Sequence, residues 1–244
     1  QYNRLLPAKV SCRGLARLLL GQPKGILLEE AARRIAEEAT ALGDFLTHHD
    51  KRNSIARDGL LSTAFPSSGE NSHKSRSRYA NQFVASVNKQ GQVSGLLIDL
   101  KLINYRPAKA TRLMLTAVGW QFATMANPIL DGFQETPTQK FSEQERDFLL
   151  SHISRSVPVE DFAYRAVLTA ITEGHNTPDT MDEALLERVP RDTTRNFSKS
   201  FLSSQRSGAI SRMTDLGLVA RVRDGVRVSY TATDIGEEYM RNGR

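Results

Sequence analysis

The chain has 244 residues, of which 39% are hydrophobic and 25% charged, with a formal net charge of +6 and one cysteine. That length suffices for two modest domains with buried cores, and no run of about 18 apolar residues is present to span a membrane. A single Cys12 excludes an intramolecular disulfide and any multi-cysteine metal site, so a cytosolic, reducing environment is the expectation.

Residues 8–21 form an apolar segment with Leu15, Leu18, Leu19 and Leu20, closed by Gly21 and Pro23. Ile26, Leu27, Ala31, Ile35, Ala39 and Leu42 then recur near a 3.6-residue period, which predicts an amphipathic helix from Ile26 to Phe45 with Gly43 near its end. A shorter helix is predicted over 54–65. The stretch PSSGENSHKSRS (66–77) is the most polar and turn-rich in the chain and is expected to be a mobile loop. Helical spacing returns in YANQFVASVN (79–88), followed by a KQGQ break and VSGLLIDLKLI. Two extended stretches, NYRP and TRLML, flank a turn at AKA, and LTAVGWQFATM starts a helix. Prolines and a glycine mark 127–139 as a linker between a unit at 1–131 and a second at 138–244.

The second half opens with FSEQERDFLLSHI, a helix with Ser142 as N-cap and Glu145 three residues on, a capping box. DFAYRAVLTAITEG is a helix ended by Gly174. A short helix follows in HNTPDTMDEALLERVP, capped at Asp179 or Thr180. RNFSKSFLSSQRSGAISRMTDLGLV reads as two short helices with a turn between them. ARVRDGVRVSYT is the clearest hairpin signal, two valine-rich alternating strands around Asp224-Gly225, and TDIGEEYMRNGR closes with a helix.

Charge is unevenly spread. Residues 26–50 are acidic, with Glu29, Glu30, Glu37, Glu38, Asp44 and Asp50 against Arg33 and Arg34. Residues 71–112 invert this: Lys74, Arg76, Arg78, Lys89, Lys101, Arg106, Lys109 and Arg112 face Asp99 alone. A second basic stretch runs from Arg188 to Arg227. Two such stretches favour a polyanionic partner. No phosphate-binding G-x-x-x-x-G-K-[ST] and no dinucleotide G-x-G-x-x-G is present. His48-His49-Asp50 has no second ligand pair at a recognisable spacing, and the acids around Asp179 suit a helix start. The expectation is a protein without catalytic residues, cofactor or metal.

Residues 98–103, IDLKLI, and 214–219, TDLGLV, repeat one phrase. Laying Asp99 on Asp215 brings Leu100 to Leu216, Leu102 to Leu218 and Ile103 to Val219. A strand pair follows each phrase, after which Thr116 falls on Thr233 and Gly119 on Gly236. The chain thus holds two copies of one module. These residues resemble the winged helix-turn-helix superfamily, whose units end a helix on an L-x-x-x-G-L-V phrase, add a two-strand wing and start a helix at Thr-x-x-Gly. The second copy follows the pattern closely; in the first, Lys101 stands where the glycine is expected. The implied fold is mainly α with small β-hairpins (α+β): tandem winged-helix domains with additional N-terminal helices.

The resemblance implies a recognition helix before the glycine, entering the major groove of double-stranded DNA, with wing arginines on flanking phosphates. In the second copy this assigns Ser204, Gln205, Arg206, Ser207, Ser211 and Arg212 to the helix and Arg221, Arg223 and Arg227 to the wing. In the first it assigns Lys89, Gln90, Gln92 and Ser94 at the helix start and Arg106, Lys109 and Arg112 on the wing. With Leu96 on the position of Arg212, that helix has little to read bases with, and is the candidate surface for a homodimer or protein partner. The expected protein is a non-enzymatic, nucleoid-associated transcriptional regulator or site-binding factor. The alternatives are a plasmid-type replication or partition initiator and a protein-interaction subunit of a larger complex.

Overall fold

A computed structural model of the chain describes residues 4–56, 59–106, 110–132, 139–188 and 198–242. It divides into two compact units, Tyr2–Glu145 and Arg146–Arg244, with the division falling inside the helix Glu143–Ser156.

The first unit opens with α1 (Leu6–Leu19), which has Pro7 in its first turn, where a missing N–H costs nothing. β1 (Ile26–Leu27) leads directly into α2 (Leu28–Arg52), whose Ala31, Ile35, Ala39 and Leu46 are buried. Its solvent side is held by helical-turn ion pairs Arg33–Glu37 and Glu30–Arg34. α2 continues well past Gly43, the predicted end. A Cβ on Gly43 would stand 2.1 Å from the Pro66 carbonyl, so this glycine lets the returning chain cross the helix and does not stop it.

The helix predicted over 54–65 is not formed by the described residues of that stretch. Ser54 and Ala64 adopt positive φ, and the buried Asp50 carboxylate instead accepts from the backbone N–H groups of Leu61 and Ser62. Within the expected loop 66–77, residues from Ser72 onward belong to α3 (Ser72–Tyr79), which runs into a π-helical turn, Ala80–Val84. The predicted helix 79–88 ends there, because a small hairpin follows: β2 (Ser86–Val87) pairs with β3 (Val93–Ser94). α4 is only Leu96–Asp99. β4 (Ile103–Arg106) and β5 (Arg112–Leu115) form a second hairpin, and β1 joins β5 to make an antiparallel sheet of order β1-β5-β4. α5 (Ala117–Thr124) and α6 (Pro128–Asp131) complete the run, α6 lying inside the expected linker 127–139.

A buried polar cluster closes this unit. Lys9 and Glu145 are fully buried and 2.9 Å apart, with Lys9 also donating to the carbonyls of Phe122 and Met125. Burial works to lower the Lys9 pKa, and that effect exceeds the opposing pull of Glu145. Glu145 also completes the capping box: its backbone N–H donates to Ser142 Oγ at 3.2 Å and its carboxylate accepts the Ser142 N–H at 2.9 Å.

The second unit continues α7 (Glu143–Ser156) with α8 (Pro158–Thr172), α9 (Pro178–Arg188), α10 (Lys199–Asp215), β6 (Val219–Asp224), β7 (Arg227–Ala232) and α11 (Asp234–Arg241). The predicted pair of short helices over 195–219 is one continuous helix from Lys199. Gly208 sits buried in its middle, where α10 packs against α8 and α9. β6 and β7 pair from Val219↔Ala232 to Asp224↔Arg227, leaving Gly225-Val226 as a two-residue turn. Helices followed by small antiparallel hairpins are broadly consistent with a helix-turn-helix-type architecture. No helix among the described residues is long and apolar enough to cross a membrane.

Candidate nucleic-acid interface

The end of α10 is built from three backbone bonds: Leu216 N–H to Arg212 O at 3.0 Å, Gly217 N–H to Thr214 O at 3.1 Å and Leu218 N–H to Met213 O at 2.9 Å. Gly217 is left-handed, φ +77°, as this helix ending requires. After the hairpin, Thr233 N–H returns to Leu218 O at 3.1 Å and Thr233 Oγ1 accepts the Gly236 N–H at 3.1 Å, capping α11. A Cβ on Gly236 would lie 2.2 Å from Leu218 O, so α11 closes on the strand start with no room for a side chain.

The first unit repeats each contact. Leu100, Lys101 and Leu102 donate to Leu96, Ile98 and Leu97 at 2.9 Å each. Thr116 N–H reaches Leu102 O at 3.0 Å, Thr116 Oγ1 accepts the Gly119 N–H at 3.0 Å, and a Cβ on Gly119 would lie 2.0 Å from Leu102 O. The sheets also correspond. β1 adds to the last hairpin strand of the first unit, and in the second the chain between α8 and α9 does so through Tyr230 N–H to Asn176 O at 2.9 Å.

The helix side chains do not all lie where the sequence places them. Gln205 and Ser207 are exposed on α10, while Ser204 and Ser211 are half-buried. Arg206 and Arg212, both expected to meet DNA, are only 8% and 7% exposed. Arg206 Nε donates to Asp182 of α9 at 2.6 Å, and the Arg212 guanidinium donates through Nε and Nη2 to both Glu160 oxygens on α8. Burial disfavours the charge on Arg212, but Glu160 and Tyr164 together more than offset it, holding the pKa above its ordinary value. These two arginines line a cleft of about 320 Å³ whose walls include Val159, Phe162, Leu185 and Phe201. The helix is packed on that side, and carboxylates from α8 and α9 draw both cations inward.

The hairpin is different. Beyond Val219, every β6 residue is exposed, and Arg227 is exposed on β7. In this register Arg221 and Arg223 share a face with their partners Tyr230 and Val228, whereas Arg227 lies opposite Asp224 on the other face. Arg221 sits 5.9 Å from the Tyr230 ring centroid, within cation–π range.

In the first unit, Lys89, Gln90 and Gln92 are not at a helix start. They form the exposed turn between β2 and β3, where Asn88 Oδ1 accepts the N–H groups of Gln90 and Gln92 at 2.9 Å each. Ser94 is on β3, 3.3 Å from Ser86 across the pair. Arg106 is exposed at the end of β4, opposite Arg112, which is half-buried and donates to Gly25 O at 2.7 Å. Lys109 lies outside the described residues. α4 cannot serve as a reading helix: Leu96 and Leu97 are buried, and Gly95 at φ +143° tucks its start against Val84 and Ala85.

Lys74, Arg76 and Arg78 lie on α3, a helix that the polar stretch 66–77 does not predict because it carries turn-type residues and no apolar period. The signal for a helix was Tyr79 with Phe83, four apart, immediately after them; both are buried. Cys12 is buried and its thiol is pushed up to about 12, which leaves it unreactive. Among the described residues no group of three or more His, Cys, Asp or Glu could hold a metal ion. No family model, curated protein or solved structure matches the chain.

Proposed function

We propose that the chain is a non-enzymatic DNA-binding protein made of two winged helix-turn-helix units, acting as a transcriptional regulator or related site-binding factor. The observation that carries the reading is the correspondence of helix end, hairpin and Thr-capped closing helix in both units, joined in the second to an exposed hairpin bearing Arg221, Arg223 and Arg227. Exposed strand arginines on a net-positive chain suit phosphate contact, which positions a protein on a duplex without reading sequence. Base reading then falls to the side of α10 that carries Ser204, Ser207 and Ser211, whereas Gln205 lines the cleft beside α8.

Binding of a labelled random duplex, followed by fluorescence anisotropy, tests this. Four phosphate contacts would weaken binding about 10²-fold between 50 and 200 mM salt. Absence of binding at 50 mM salt would defeat the reading. One observation favours a second reading, a protein-interaction subunit: Val159 and Phe162 stand 80% and 58% exposed beside the α8–α10 cleft.

A further inference from the structure

We infer that α3 is a second duplex-contacting element, in which Lys74 and Arg78 grip the phosphate backbone. The inference rests on the DNA-binding reading above, and places the nucleic-acid surface of the first unit on a helix and not on the short α4.

Residues 71–98 contain no Asp or Glu, yet carry His73, Lys74, Arg76, Arg78 and Lys89. Several other arginines are neutralised within the fold. Arg13, Arg17, Arg33, Arg34, Arg165, Arg188, Arg206 and Arg212 each face a carboxylate. Lys74, Arg76 and Arg78 have no such partner among the described residues, and Arg76 Nε is shut off from solvent without an acceptor. Lys74 and Arg78 are one helical turn apart on the same face, both exposed, so they repel each other where α2 places alternating charges at that same spacing. Where α2 and α10 meet their arginines with carboxylates, α3 leaves two cations of one sign on one exposed face, in a stretch without acids, which suits an external polyanion.

The helix is also held still. Tyr79 at its end is buried, donates to the Pro7 carbonyl at 3.1 Å, lies 3.0 Å from Ser11 Oγ and stacks between Phe65 and Phe83. The π-helical turn that follows adds a residue to the backbone ladder, a feature concentrated at functional sites. Anchored at one end, α3 presents its cations without an ordering cost at binding.

Two double variants of the full chain test this against a random DNA duplex. Lys74→Gln/Arg78→Gln keeps helix propensity and should weaken binding about 10-fold at 100 mM salt, lowering the slope of log K against log salt by about two. Lys51→Gln/Arg52→Gln removes the same charge from exposed positions at the end of α2 and should change affinity less than about twofold. Equal losses in both variants would show a net-charge effect and overturn the inference. An unchanged α3 variant, with Arg221→Gln/Arg223→Gln impaired, would overturn it while leaving the DNA-binding reading intact. No binding by the unmodified chain would remove both. A larger loss on single-stranded RNA than on the duplex would reassign the surface to RNA.

Discussion

Lys101 and Gly217 hold the same left-handed backbone, φ +55° and +77°, each at the end of a helix and each followed by a leucine that donates five residues back. Glycine reaches that conformation freely, whereas lysine is strained there. Nothing but ordinary van der Waals contact surrounds a Cβ on Gly217. Gly217→Ala should therefore destabilise by about 1 kcal/mol, and Lys101→Gly should stabilise by about 0.5–1 kcal/mol. Opposite shifts of the urea midpoint are the expected result; shifts of one sign would contradict it.

Gly119 and Gly236 have a different reason to be glycine. Each packs against a strand-start carbonyl that cannot retreat without breaking the cap made by Thr116 or Thr233. Gly119→Ala should cost about 3 kcal/mol, the upper range for overpacking. Trp120, the single tryptophan, is on the same helix and reports the first unit's unfolding by fluorescence. A change below about 1 kcal/mol would show that the contact relaxes easily.

Arg212→Ala is expected to affect folding and not base discrimination. It leaves Glu160 half-enclosed without its partner, a loss of about 3 kcal/mol for a buried pair. The double variant Arg212→Met/Glu160→Leu should recover most of that, measured by denaturant unfolding. If Arg212→Ala left stability intact but altered preference between selected DNA sites, the residue would read bases after all.

The hairpin faces should separate in binding. Arg221→Gln/Arg223→Gln removes two charges from one face and should weaken all duplexes alike, with the salt slope falling by about two. Arg227→Gln, on the other face, should change affinity less than about twofold. Anisotropy titrations at several salt concentrations decide, and equal loss per arginine would mean that both faces meet the duplex.

Acid stability of the first unit should depend on Arg13. The paired guanidinium holds the Asp131 carboxyl down at about 2, through bonds of 2.6 and 2.5 Å. A depressed carboxyl pKa stabilises fully above about pH 4 and loses that contribution as pH falls toward 2. Asp131 is 44% exposed, so solvent screening keeps the effect below about 1 kcal/mol. The difference in urea midpoint between the unmodified chain and Arg13→Gln should shrink from pH 5 to pH 2. A constant difference would place the contribution of Arg13 in packing alone.

Features written within a few residues of each other were legible. The Ser142–Glu145 capping box, the Asp224-Gly225 hairpin and the Thr-x-x-Gly helix starts at 116 and 233 all form from contacts between near neighbours. Errors came where a local signal had a tertiary use. Gly43 looked like a helix stop and is a crossing point; residues 54–65 looked like a helix, but the Asp50 carboxylate orders Leu61 and Ser62 instead. The polar run before Tyr79 looked like a loop because Tyr79 is the one buried side chain of α3, which leaves no apolar period to read.

The sequence by itself determined the helix ends, hairpins and Thr-capped helix starts that follow the repeated phrase at 98–103 and 214–219, since caps and glycine conformation act over three to five residues. Which cations face outward was decided only by the tertiary structure. Arg206 and Arg212 are drawn in by carboxylates 24 and 52 residues away in the chain, and the cations of α3 find none among the described residues. Charge pairing depends on distance in space, which spacing along a helix does not report.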